Sequence, residues 1–130
     1  MNFEAFQLDH RIESGIEDLG YTEPTSIQSQ SIPSILQGRD LMGMAQTGTG
    51  KTAAFALPIL QHLLSGPRKV VRALIIAPTR ELAEQTREAF AQLGRYTKLK
   101  SISVYGGVGT NTHNHQHRHR GGNWVACPGP

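Results

Sequence analysis

The segment Ala45-Gln46-Thr47-Gly48-Thr49-Gly50-Lys51-Thr52 constrains this chain more than any other. It stands between an apolar run, Leu41 to Ala45, and a stretch of helical character from Lys51 to about Leu64. An A/G-x-x-x-x-G-K-T spacing between a strand and a helix start is the pattern of a phosphate-binding loop. Glycines at 48 and 50 let backbone N–H groups turn inward against phosphate oxygens with no Cβ in the way. The helix start adds the positive end of its dipole. Lys51 would neutralise β- and γ-phosphates, and the Thr52 hydroxyl would ligate Mg²⁺, making these the two residues closest to catalysis. The plain alternative is a Gly-rich strand-to-helix turn with no ligand.

Around that loop the pattern is α/β. Asp9 is placed to cap a helix over His10 to Leu19, with Ile12, Ile16 and Leu19 on one stripe and Gly20 as its stop. Pro24-Thr25 opens a second helix carrying Ile27, Gln28 and Ile32, kinked or divided at Pro33 and ended by Gly38. Pro58 disturbs the helix after Lys51. Val70 to Ala77 is nearly all apolar, as expected of a strand covered on both faces. A helix follows Pro78 with Leu82, Gln85, Ala89, Phe90 and Leu93 at helical spacing, and Lys100 to Tyr105 alternates as a third strand. Strand–helix–strand–helix–strand predicts a parallel sheet flanked by helices.

The 130 residues allow one domain, and no apolar run is long enough to span a membrane. Met1 to His10 is mixed and acidic, without the basic region or small-residue cleavage site expected of a signal peptide, and the single cysteine, Cys127, excludes an internal disulfide framework. A cytoplasmic location is the expectation. Charge is divided: residues 1–66 carry seven acidic and three basic side chains, residues 67–130 three acidic and ten basic. A basic half fits a polyanionic partner, or simply a solvated surface.

Twenty residues before the loop, Gly20-Tyr21-Thr22-Glu23-Pro24-Thr25-Ser26-Ile27-Gln28 contains an amide and an aromatic ring. Gln28 could pair with N6 and N7 of adenine, and Tyr21 or Phe3 could stack on the base; a surface or capping role is the alternative for Gln28. Together with the phosphate loop, Pro78-Thr79-Arg80-Glu81-Leu82-Ala83 and Gly106-Gly107, this series resembles the N-terminal part of a DEAD-box ATP-dependent RNA helicase over residues 1–109. The resemblance implies an incomplete RecA-like P-loop domain of the α/β class. Residues 1–30 would form the adenine-reading Q-motif region and residues 31–109 a partial helicase ATP-binding domain. ATP and Mg²⁺ would be the cofactors, and the nucleotide would meet Phe3, Tyr21, Gln28 and the loop Ala45 to Thr52. RNA would be the partner, held through its backbone by Pro78, Thr79, Arg80, Gly106 and Gly107 with little sequence preference. A surface ion pair with Glu84 is the alternative for Arg80.

The chain also departs from that family. Its last acidic residue is Glu88, so the Asp-Glu-Ala-Asp motif that would hold Mg²⁺ and prepare the attacking water is absent. The expectation is therefore a fragment, inactive alone as a helicase or ATPase, or an unstable product acting at most as a passive RNA or protein binder. Residues 110–130 form an atypical His/Arg-rich tail, expected to be disordered or frameshifted, in which Ala126-Cys127-Pro128-Gly129-Pro130 resembles an RNA-binding segment with Pro130 in place of arginine. The alternating His113, His115, His117 and His119 invite adventitious metal binding rather than a built site.

Overall fold

The structure, a computed structural model, describes residues 2–67 and 70–104 and the backbone of residues 123–126. A short 3₁₀ turn, Phe3–Phe6, leads into α1 (His10–Asp18), α2 (Ser26–Leu36), α3 (Lys51–Leu63), β1 (Leu74–Ala77), α4 (Arg80–Leu93), β2 (Ile102–Val104) and β3 (Asn123–Ala126).

The helices begin where side chains can satisfy their first N–H groups. The Asp9 carboxylate accepts from the Arg11 N–H at 2.9 Å. Thr25 and Gln28 form a reciprocal capping box on α2, and the Thr79 hydroxyl accepts from the Leu82 N–H at 3.1 Å on α4. Pro33 lies inside α2 without dividing it, and the fully buried Pro58 lies inside α3. Packing against neighbouring helices offsets the hydrogen bond each proline removes.

The main core is helical. Ile12 and Ile16 of α1, Ile32 of α2, Ala56, Leu57, Leu60 and Leu63 of α3, and Phe90 and Leu93 of α4 form one buried cluster. Gly15 allows α1 to approach α4: a Cβ there would run into the Leu93 carbonyl oxygen and lie 3.2 Å from that of Gln92. The buried stripe of α4 is Ala83, Thr86, Phe90 and Leu93, while Leu82 and Gln85 are exposed. The expected stripe was therefore right in period and partly wrong in face.

The strands depart further from expectation. Leu41 to Ala45 forms no strand; Met42 is 93% and Met44 88% exposed. Among the described residues no neighbouring strand pairs with this segment, and an extended run without a ladder partner is not a strand. The three observed strands lie in the order β1-β3-β2, with β3 antiparallel to both neighbours. Leu74 faces Ala126 and Ile102 faces the same residue from the other side. β1 and β2 thus run the same way, as expected for a parallel sheet, but an antiparallel strand separates them. β1 is not covered on both faces either: Ile76 is 79% exposed whereas Ala77 is buried. No helix among the described residues is long and apolar enough to cross a membrane.

Candidate functional site

A cleft of about 770 Å³ opens between the phosphate-loop segment, the Gly20–Gln28 segment and α4. Of the helices α1 to α4, only α3 starts without a side-chain cap. Its N-cap is Gly50 in the left-handed conformation (φ 85°), following Gly48 at φ 82°. The first intrahelical bond runs from the Ala54 N–H to the Gly50 carbonyl at 3.2 Å. The preceding N–H groups of α3 therefore face an end with no capping side chain, beside the exposed Lys51. This is the anion-attracting end of a helix dipole. Inside the loop, the Thr49 hydroxyl donates to the Gln46 carbonyl at 2.5 Å.

Gln28 ties the two segments together. It is 3% exposed; its Oε1 accepts from the Thr25 N–H at 3.0 Å, and its Nε2 donates to the Gly50 carbonyl at 3.1 Å. A Cβ on Gly50 would collide with Gln28 Nε2, so this contact as well as the positive φ demands glycine. The capping alternative for Gln28 is thus realised. An amide carries two lone pairs and two N–H bonds, so one acceptor and one donor function remain.

Tyr21, Gln28, Thr47, Gly48, Gly50, Lys51 and Thr52 all line the cleft. Ala45, Gln46, Thr49 and Phe3 do not. Phe3 is buried, with its ring 6.0 Å from that of Phe6 and stacked on Tyr21 at 6.3 Å and 26°. It packs against Tyr21, the aromatic ring that does line the cleft. The far wall is Leu82, Gln85, Ala89, Gln92 and Leu93 of α4, which the sequence reading did not assign to the site. Gln85 and Gln92, seven residues apart, were the available signal: two amides on one helix face.

Pro78, Thr79 and Arg80 lie exposed just past the carboxyl end of β1, outside the cleft lining. Thr79 uses a lone pair to cap α4 and keeps its own O–H to donate. Glu84 accepts from Arg87 Nε and, at 3.1 Å, from Ser103 Oγ, binding α4 to β2. Gly106, Gly107, His113, His115, His117, His119 and Cys127 lie outside the described residues. Among the described residues no group of three or more His, Cys, Asp or Glu side chains is placed to hold a metal ion.

Comparison with known proteins agrees with this arrangement. The family model for DEAD/DEAH box helicases matches residues 25–128. ATP-dependent RNA helicase SrmB of Escherichia coli is 48% identical over 109 residues, covering 82% of this chain and 24% of that protein. ATP-dependent rRNA helicase RRP3 of Ajellomyces capsulatus is 56% identical over 92 residues, covering 71% and 19%. The RNA-helicase Prp28 from Chaetomium thermophilum, solved bound to ADP, superposes with a TM-score of 0.76 at 41% identity, covering 83% of this chain and 27% of that one. A Dbp5 variant of S. cerevisiae bound to RNA and ADP BeF3 gives a TM-score of 0.70 at 35% identity, over 75% and 25%. The chain spans about a quarter or less of the length of these relatives. The fold is a RecA-like α/β arrangement, rich in helix and incomplete in strands. By its matched residues and its fold, this chain belongs to the DEAD/DEAH box helicase family.

Proposed function

We propose that this chain is the ATP-binding and RNA-backbone-binding part of an ATP-dependent DEAD-box RNA helicase. The observation that carries the reading is the cleft itself. An uncapped helix start, Lys51, Thr52 and Gly48 lie on its lining with Tyr21 and Gln28. Phosphates would sit on the α3 N-terminus, with Lys51 adding charge. The two unused functions of the Gln28 amide match the N6 donor and N7 acceptor of adenine, and the exposed Tyr21 ring offers a stacking surface. Mg²⁺ would arrive with the nucleotide and meet the Thr52 hydroxyl, supplying charge neutralisation at the phosphates. Among the described residues the cleft's lining holds one carboxylate, Glu23.

RNA contact would fall on Thr79, with Pro78 and Arg80 beside it at the α4 start, and on Gly106 and Gly107. A hydroxyl, a cation and helix N–H groups address phosphate and sugar, not base edges. Isothermal titration of ADP, ATP and GDP onto the protein and its Lys51→Ala variant tests the nucleotide assignment. Adenine nucleotides should bind more tightly than GDP, and the variant should lose about tenfold or more in affinity, roughly 1.4 kcal/mol. Equal affinity of the two proteins would defeat it.

A second reading, a non-catalytic and marginally stable chain acting as a passive binder, is favoured by the exposure of Met42, Met44 and Ile76. A thermal melt followed by circular dichroism separates the two: a cooperative transition supports the folded nucleotide-binding part, and its absence supports the passive chain.

A further inference from the structure

Behind the phosphate loop lies a second cavity, about 420 Å³ and open to solvent on one side, lined by α2, α3 and the segment around Leu41. Its walls are apolar, from Ile27 and Ile35 of α2, Leu41, and Phe55 of α3. Three polar side chains join them. Ser31 is only 3% exposed, lines the cavity, and its hydroxyl has no hydrogen-bond partner among the described residues. Arg39 and Lys51 are exposed, line the same cavity, and form no ion pair among the described residues. The nearest carboxylate in sequence, Asp40, is not on the lining.

A buried hydroxyl left without a partner is costly, and native structures rarely keep one without a ligand or water to satisfy it. An apolar chamber of a few hundred Å³ with a few placed polar groups is the usual form of a small-molecule site. Two cations without a counter-charge set the sign of what it takes. We infer that this cavity binds a small amphipathic anion, with an apolar ring-sized body between Ile27, Ile35, Leu41 and Phe55. Its anionic group faces Arg39 and Lys51, and an oxygen accepts from Ser31. Lys51 also lines the nucleotide cleft. Given the nucleotide-binding reading, the two ligands compete for one ammonium group, and each weakens the other by the same factor.

The test is a titration of the full chain with 2-naphthoate, followed by the ¹³C-methyl signals of its isoleucines. Ile27 and Ile35 should shift saturably, while Ile12 and Ile16 of the helical core stay still. Methyl 2-naphthoate, which lacks the charge, should bind about fivefold or more weakly. Ser31→Ala should cost about fivefold, one hydrogen bond's worth, and Ala54→Leu, which puts a side chain into the cavity, should abolish the shifts. If Ala54→Leu does not fold, Ser31→Ala and the uncharged probe still decide. Unsaturable shifts, or binding indifferent to charge and to Ser31, would overturn the inference and leave a cavity holding water only. Saturable shifts at Ile27 and Ile35 that ADP does not weaken, from a chain that fails to bind ADP, would defeat the nucleotide reading and leave this site standing.

Discussion

Replacing Gln28 by glutamate isolates the bond that joins α2 to the phosphate loop. The side chain keeps its size and its acceptor toward the Thr25 N–H, but an oxygen now stands where Nε2 donates to the Gly50 carbonyl at 3.1 Å. At 3% exposure, an ionised carboxylate there would face a carbonyl lone pair with almost no water. The protonated form can still donate, so the folded state should hold this glutamic acid above its ordinary value of about 4.3. The sign follows: the variant keeps its stability below about pH 4.3 and loses it as pH rises through the raised folded-state pKa. An unmatched buried polar pair costs about 1–3 kcal/mol, so a loss near 2 kcal/mol is expected at pH 7.5 and well under 1 kcal/mol near pH 4.5. Urea unfolding of variant and parent at both pH values measures the difference, with titrations common to both proteins cancelling. Gln28→Ala, which removes both bonds, should be destabilised at either pH. A glutamate variant equally stable at both pH values, or weaker at the acidic one, would refute the reasoning.

Gly15→Ala should destabilise by about 1–3 kcal/mol although alanine is the better helix former, because its Cβ meets backbone at Leu93 rather than a movable side chain; a rise in the urea midpoint would show that α1 and α4 do not approach as described. The Asp9 carboxylate is held down from 3.8 to about 2, chiefly by the Arg11 guanidinium and then by the Arg11 N–H. Its contribution is complete above about pH 3.8 and fades as pH falls toward 2, so Asp9→Asn, which still caps α1, should flatten that part of the stability–pH curve. Thr79→Ala should cost about 1 kcal/mol of α4 stability through the lost cap, whereas Thr79→Ser should keep both the cap and any RNA affinity. Filter binding of a single-stranded RNA to the two variants separates a capping role from a phosphate contact.

The helices were legible because their signals are local. Asp9, Thr25 and Thr79 cap the elements they precede, since a hydroxyl or carboxylate two or three residues from an N–H needs nothing from the rest of the chain. The strands were less legible. Leu41 to Ala45 and Val70 to Ala77 are both apolar runs, yet only residues 74–77 of the second form a strand. An apolar run records a tendency to be buried, not the partner that would pair with it. The loop residues Gly48, Gly50, Lys51 and Thr52 and the upstream Tyr21 and Gln28 meet at one cleft, a juxtaposition that the family resemblance implied and spacing alone did not. The stacking of Phe3 on Tyr21 was not legible from sequence, because it is a tertiary contact. The α4 wall was missed for a related reason: helical period fixes which residues share a face, but not what that face opposes.

Amide hydrogen exchange with and without ADP reads the α3 N-terminus directly. The account predicts slowed exchange over residues 48–53 and around Tyr21 when ADP is present, with Met42 and Met44 unchanged. Exchange at residues 48–53 that is the same with and without saturating ADP, in a cooperatively folded protein, would contradict it.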